Sequence, residues 1–155
     1  MTEYSKKIFV AIKSFLDTEE YHYDWDEQTA CFRFNMTLPG KINRAQFTLR
    51  VYEDAFITVA KIDVAAGQDE RVAVAEYLTR ANYGLREGNF EMDYRDGEIR
   101  YKDYVPCGTR APEPEVVRGA IMIPCAMIRR YGDSLVAVLF SLESPEMAIA
   151  RAERE

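Results

Sequence analysis

The dipeptide Asp96-Gly97, between two segments of alternating polarity, is the feature that most constrains the fold. An Asp-Gly pair between two strands is typical of a two-residue type I′ turn, because both turn positions need a positive φ. The predicted charged-face pairs are Arg95 with Glu98, Asp93 with Arg100 and Glu91 with Lys102, and the apolar-face pairs are Tyr94 with Ile99 and Met92 with Tyr101. All three charged-face pairs join opposite charges, which favours an antiparallel hairpin in this register.

Three further strands are predicted before the hairpin. Residues 32–37 and 47–52 alternate apolar and polar side chains, as expected for strands with one buried face. Pro39-Gly40 between them suits the central positions of a type II turn. Residues 56–64 are apolar at both parities, which predicts a strand at the centre of the sheet or covered on both faces.

Helical spacing of apolar residues predicts helices on both sides of these three strands. The first helix is predicted from Thr2, as N-cap, to about Thr18, and the second from about Glu70 to Leu85 with Asp69 as its cap. The inner face of the second helix is predicted to consist of Val72, Ala75, Leu78 and Ala81.

The C-terminal part of the chain is predicted to be mainly helical. Pro114 suits a first helical position, and Pro124 within the same periodic run predicts a kink. Residues 135–142 are almost wholly apolar, so a buried helix or a strand would fit, and we favour a helix. Ser144-Pro145-Glu146 predicts the start of a short final helix.

These elements predict a single α+β domain over residues 1–155, a length typical of one domain. Their order is α-β-β-β-α-β-β-α, in which short turns between strands imply antiparallel pairing. The grouped helices imply a two-layer antiparallel sheet with helices packed on one face. The other face is expected to be polar and to carry Arg33, Asn35, Thr48, Arg50, Asp93 and Arg100.

Charge and cysteine content argue against several classes of function. Twenty Lys and Arg against 26 Asp and Glu give a net charge of −6 without a basic run, so we expect no nucleic-acid binding. No segment has the ~20 apolar residues of a membrane span, and the polar N-terminus lacks the apolar core of a signal peptide. Three cysteines without short spacing suit neither a disulfide framework nor a zinc site. We therefore expect a cytoplasmic protein that does not contact membranes.

Signatures of catalysis and cofactor binding are few. His22 is the only histidine, and the sequence contains no GxSxG, GxGxxG or GxxxxGK[ST] motif. Asp24, Asp26 and Glu27 resemble part of a cation site, but they lack the glycine and the distal glutamate of a calcium loop. We therefore expect no enzymatic activity, no cofactor and no metal site.

Three aromatic residues before the first predicted strand are the candidate protein-interaction residues: Tyr21, Tyr23 and Trp25. Trp and Tyr dominate the energetics of protein interfaces, so these side chains could form a partly exposed anchor for a partner. They could also cover the edge of the sheet within the fold, and we favour this second interpretation.

Several segments resemble the YbjN-like family of bacterial sensory transduction regulators: 82–85 (NYGL), 88–93 (GNFEMD), 96–101 (DGEIRY), 135–138 (LVAV) and 144–149 (SPEMAI). The resemblance is best after residue 70. That family is similar in fold to type III secretion chaperones, which are small, acidic α+β proteins, often dimeric, that hold other polypeptides. The resemblance thus implies this fold and a homodimer, and it transfers no catalytic residue.

Two functional hypotheses follow from the sequence. The first is a non-enzymatic adaptor or chaperone-like regulator that holds a protein or peptide partner, with β-strand addition as one physical means. The alternative is a small-molecule sensor or an enzyme with an unrecognised pocket near His22 and Trp25. A pocket with converging carboxylates around His22 would favour the alternative.

Overall fold

The computed structural model describes residues 2–154 and shows an α+β fold with four helices and six strands. The elements are α1 (Lys6–Thr18), β1 (Asp24–Asp26), β2 (Cys31–Thr37), β3 (Arg44–Val51), β4 (Ala55–Ala65), α2 (Arg71–Asn82), β5 (Asn89–Met92), β6 (Glu98–Pro106), α3 (Pro114–Leu139) and α4 (Pro145–Arg154). The strands form one antiparallel sheet in the order β1-β2-β3-β4-β6-β5. The predicted two-layer architecture is confirmed, and one element is added to the predicted order, the three-residue β1; the predicted C-terminal helical part consists of α3 and α4.

Strand β4 lies at the centre of the sheet, as the apolar run over residues 56–64 predicted. It pairs with β3 through Phe47–Ala60 and with β6 through Ala60–Tyr101. The side chains of this row are buried and belong to a single apolar core beneath the helices. Strand β4 is paired along both edges and, at 11 residues, is the longest strand of the sheet.

The first helix begins later than predicted. Ser5, and not Thr2, is the N-cap, and its Oγ accepts a hydrogen bond from the backbone N–H of Ile8 at 3.2 Å. Thr2 instead donates its hydroxyl to the carbonyl oxygen of Gln28, 2.9 Å away. The N-terminal residues therefore bind the segment after β1 and do not extend α1.

The second helix differs from the prediction in its cap and in its buried face. Glu70 occupies the N-cap position of α2, so Asp69 is not the cap. The side chain of Glu70 makes no capping hydrogen bond. Val72 is 74% exposed, and the buried side chains are Val74, Tyr77, Leu78 and Ala81. The hydroxyl of Tyr77 donates to the carbonyl oxygen of Tyr131 at 2.6 Å. This buried contact with α3 holds Tyr77 inside, so the buried face is rotated away from Val72.

The apolar run over residues 135–142 is helical as far as Leu139, where α3 ends. Pro114 occupies the first turn of α3, as predicted, and Pro124 lies within the helix. Beyond Leu139, Ser141 adopts a positive φ of 57°, and the N–H of Leu142 bonds back to the helix. The start of α4 is confirmed, because Ser144 Oγ accepts from the N–H of Met147 at 3.2 Å.

The predicted hairpin is present, but its register is wrong by two residues. Glu91 pairs with Arg100 and Met92 with Ile99, and a longer loop over residues 93–97 replaces the two-residue turn. Gly97 has a φ of 79°, whereas Asp96 does not adopt a positive φ, so a type I′ turn does not form. The predicted Arg95–Glu98 pair is also wrong: Arg95 binds Asp93 instead.

A backbone contact explains the longer loop. The carbonyl oxygen of Gly97 accepts a hydrogen bond from the N–H of Ala66 at the end of β4, at 2.9 Å. A Cβ atom on Gly97 would overlap the backbone of Ala66. The conformation of the loop is therefore fixed by contact with the end of β4, which is distant in sequence. Because the shift is two residues, the apolar and charged faces of the hairpin are unchanged.

No helix within residues 2–154 combines the length and the hydropathy that crossing a bilayer requires.

Replacing Gly97 by Ala is expected to destabilise the protein more than replacing Gly84 by Ala. Both glycines have similar positive φ values, 79° and 86°, but a Cβ at position 84 meets no atom within 4 Å. The Gly84 variant should therefore lose only the ~1–2 kcal/mol of the left-handed backbone. The Gly97 variant must also displace Ala66. Urea unfolding measures both, and equal losses would contradict the proposed contact.

Candidate functional site

The face of the sheet opposite the helices carries the predicted polar residues, and neighbouring charges on it neutralise one another. Glu91 binds Arg100 at 2.9 Å and Lys102 at 2.8 Å, and Lys61 lies 3.4 Å from Glu98. Asp93 was predicted on this face but lies in the hairpin loop. These pairs describe a hydrated, charge-balanced surface and not a concentrated site.

The aromatic residue Trp25 is half-buried in a cluster between α1 and the sheet. Its ring lies 4.6 Å, between centroids, from both Phe9 and Phe32. Its indole Nε1 donates to a carboxylate oxygen of Glu27 at 2.8 Å. The polar and the apolar parts of Trp25 therefore both have partners within the fold.

Tyr21 and Tyr23 are also half-buried and contact the same layer of the core. Tyr23 donates its hydroxyl to Asp17 of α1 at 2.6 Å, and the ring of Tyr21 packs edge-on against Phe34 at 5.0 Å. His22, between the two tyrosines, is exposed. These are the contacts of side chains that cover the edge of the sheet, and they bring no carboxylate cluster to His22.

Two acidic residues beside Trp25, Asp26 and Glu27, are bound by donors of the protein itself. Asp26 accepts from the hydroxyl of Thr29 at 2.7 Å and from Arg33 at 3.2 Å. These hydrogen bonds lower the pKa of Asp26, with that of Thr29 the largest cause. Across residues 2–154, no group of three or more His, Cys, Asp or Glu side chains is placed to hold a metal ion.

A different region of the sheet is structurally incomplete. Strand β5 begins at Asn89, which pairs with Lys102, whereas β6 continues to Pro106. Residues 103–106 pair with β4 on one side only. In the described part of the chain, no strand pairs with their other side, so the sheet has an open edge four residues long.

A cleft of about 560 Å³ lies along this open edge, and we call it the β6–α3 cleft. Its first wall is residues 102–106 of β6, its second is α3, and its third is the loop 86–89. The α3 residues that line it are Glu115, Val116, Gly119, Ala120 and Ile123. Tyr101 donates its hydroxyl to the carbonyl oxygen of Glu87, which holds the loop against β6.

The neighbouring edge of β5 is closed by a side chain. The amide of Asn82 donates to the carbonyl oxygen of Phe90 at 2.9 Å and accepts from the N–H of Phe90 at 2.7 Å. The backbone N–H and C=O of Phe90 therefore point away from β6, and Phe90 and Tyr101 form a pair without mutual backbone hydrogen bonds. Because the direction of the backbone groups alternates along an antiparallel strand, those of Lys102 point toward β5. Those of Tyr104, two residues further on, point to the same side beyond the end of β5. They therefore face the cleft.

Two polar side chains interrupt the apolar face of the sheet at this place. One row of neighbouring residues crosses five strands and consists of Trp25, Phe32, Leu49, Thr58 and Asp103. Thr58 is fully buried, and Asp103 is 6% exposed. Within residues 2–154, the hydroxyl of Thr58 has no hydrogen-bond partner.

The carboxyl group of Asp103 is poorly compensated. Burial raises its pKa, the negative charge of Glu87 raises it further, and the backbone N–H of Tyr104 lowers it. No lysine or arginine in the described chain forms an ion pair with the carboxylate of Asp103 or with that of Glu87. The β6–α3 cleft therefore offers acceptor oxygens and a free strand edge, which together can bind donor groups.

Sequence reasoning missed Asp103, although a signal was present. The parity of β6 that includes Ile99, Tyr101 and Val105 is apolar, and Asp103 shares it. An acidic residue at a core position of a strand is unusual, because a buried charge without a partner is unfavourable. The missing end of β5, in contrast, is visible only in the fold.

Comparison with known proteins assigns the chain to a family. The profile of YbjN, described as "Putative bacterial sensory transduction regulator", matches residues 10–137. The chain belongs to the YbjN family. The match spans all six strands and nearly all of α3, so it includes the three walls of the β6–α3 cleft and also the N-terminal strands. A search of curated proteins found no match.

Replacing Asp103 by Asn is expected to stabilise the protein at neutral pH. Because the pKa of Asp103 is raised in the folded state, its ionisation disfavours folding. The contribution of Asp103 to the stability of the native protein should thus decline as the pH rises above the unfolded-state pKa of about 3.9. The variant lacks this contribution, so its advantage should be small at pH 3 and grow toward pH 7.

Urea unfolding at several pH values measures this difference. Asp63→Asn, at an exposed position of β4, is the matched control and should show no advantage that grows with pH. If the difference in free energy of unfolding between the native protein and Asp103→Asn does not change between pH 3 and pH 7, the Asp103 carboxylate is not unpaired as described.

Proposed function

We propose that this YbjN-family protein is a non-enzymatic regulator that holds an extended segment of a partner polypeptide in the β6–α3 cleft. The segment adds a strand to the open edge of β6. The observation that supports this proposal is the end of β5 at Asn89, which leaves residues 103–106 paired on one side only.

Strand addition suits the dimensions of the cleft. Four residues of a strand span about 13 Å, and main-chain hydrogen bonds to the edge supply affinity without a particular sequence. The backbone of Tyr104 supplies a donor and an acceptor for such bonds. Val116 and Ile123 of α3 add apolar contacts for side chains of the bound segment that point toward the helices.

The proposal includes a location in the cytoplasm. Cys31, Cys107 and Cys125 are free thiols in the structure. Unpaired cysteines suit a reducing compartment, in which disulfides rarely form.

Photo-crosslinking inside cells tests the proposed binding site. A photoreactive amino acid at Val116, which is exposed in the cleft, should crosslink to a partner polypeptide, and one at Tyr94, which is exposed in the hairpin loop, should not. Gly119→Leu should abolish the crosslink from position 116. A Cβ on Gly119 has only the Ile123 side chain nearby, at 3.9 Å, so the variant fills the cleft without disturbing the fold.

The matched control for this experiment is Ala126→Leu, which adds similar bulk at an exposed position of the same helix outside the cleft. It should leave the crosslink intact. Equal crosslinking from positions 116 and 94, or a crosslink that survives Gly119→Leu, would contradict binding in the β6–α3 cleft.

We also propose that the protein is a homodimer, and the corner between α3 and α4 supports this. Phe140, Leu142 and Met147 are large apolar side chains exposed there, and Leu142 lines a hollow with Ala73 of α2. Exposed apolar residues that lie together are typical of interaction surfaces.

Replacing Leu142 by Asp should convert the dimer to a monomer. A charge in an apolar interface loses its water without gaining a partner. Light scattering should give twice the chain mass of 17.9 kDa for the native protein and the single mass for the variant. A native protein that is monomeric at micromolar concentration would contradict the dimer, while Lys7→Asp, at an exposed position of α1, serves as the charge control.

A further inference from the structure

We infer that the polypeptide segment held in the β6–α3 cleft carries a lysine or arginine whose cationic group binds Asp103. This inference rests on the proposed function and specifies the chemistry of the partner.

The first argument is the state of Asp103. This residue is 6% exposed and lines the cleft, and no lysine or arginine within residues 2–154 forms an ion pair with it. A buried charge without a partner destabilises the folded protein. A bound cationic group would remove this penalty, whereas an apolar group would not.

The second argument is the position of Asp103 in its row. Thr58 lies beside it on β4, and the open edge of β6 lies on its other side. A strand added to that edge extends the row by one residue. Its side chain would point toward the helices about 5 Å from Asp103, which is within reach of a lysine or arginine.

The third argument is the charge of the surrounding cleft. Glu87 and Glu115 line it together with Asp103. Of the cations at its rim, Lys102 is bound to Glu91 on the opposite face of the sheet, and Arg86 is exposed on the loop. Glu115 is paired with Arg118 at 3.6 Å, so the excess negative charge on the helix-facing side rests on Asp103 and Glu87. This charge attracts a basic segment and repels an acidic one.

Selection from a displayed library of random twelve-residue peptides tests the inference. Peptides selected on the native protein should share a Lys or Arg at one fixed position. Selection on Asp103→Asn should enrich peptides without that basic residue, and Gly119→Leu should enrich none.

The best peptide is then synthesised in two neutral versions, with norleucine for Lys or citrulline for Arg. Each should bind the native protein about thirtyfold or more weakly, as expected when one member of a desolvated charge pair is removed. This comparison changes the peptide and not the protein, so it remains decisive if the Asp103 variant folds poorly. Free lysine at the same concentration should not displace the peptide.

The outcomes separate the two proposals. If no peptide is enriched on the native protein over Gly119→Leu, the proposed function is wrong. If peptides bind in the cleft but show no basic preference, or tolerate the neutral replacements, only this inference is wrong. Displacement by free lysine would also overturn it, because the site would then take a small amine and not a polypeptide side chain.

Discussion

The core face of the sheet consists of continuous rows of side chains, and the rest of the structure depends on their burial beneath α1 and α3. Phe9 of α1 stacks on Phe32 with 5.4 Å between ring centroids, and Phe34 stacks on Phe47 at 5.3 Å. Such pairs contribute buried apolar area together with a preferred geometry. Because this layer excludes water, a polar group within it must find a partner inside the protein or in a ligand. Asp103 occupies such a position, and the proposed bound segment would supply such a partner.

The unequal lengths of β5 and β6 create the candidate site. Proteins usually protect the edges of their sheets, because unpaired backbone groups invite another strand. Here the edge of β5 is protected by the side-chain amide of Asn82, whereas the end of β6 is not. An edge that is closed along one half and open along the other would restrict the proposed strand addition to one place. A regulator that recognises a polypeptide needs such a surface and requires no catalytic group.

The differences between prediction and structure have a common physical origin in distant contacts. The hairpin prediction used opposite charges across the turn, each pair worth a few tenths to about 1 kcal/mol. The contact between Gly97 and Ala66 outweighs them, and it is invisible in the local sequence. The face of α2 is similarly decided by the buried bond from Tyr77 to Tyr131. The sequence predicted Tyr21, Tyr23 and Trp25 before the first strand, whereas Trp25 lies within β1, and only the fold shows which side chains the three residues contact.

The amino-acid sequence by itself determined the class of the fold, the existence of nearly all its elements and the two faces of each strand. These properties follow from alternation and helical spacing, which are local and survive a two-residue shift in register. The tertiary structure alone decided the register of the hairpin, the buried face of α2 and the open edge of β6. Each of these depends on contacts between segments that are far apart in the chain, and their energies exceed local preferences. The position of Asp103 shows the division: its parity can be read from the sequence, but the cleft beside it exists only because β5 ends early.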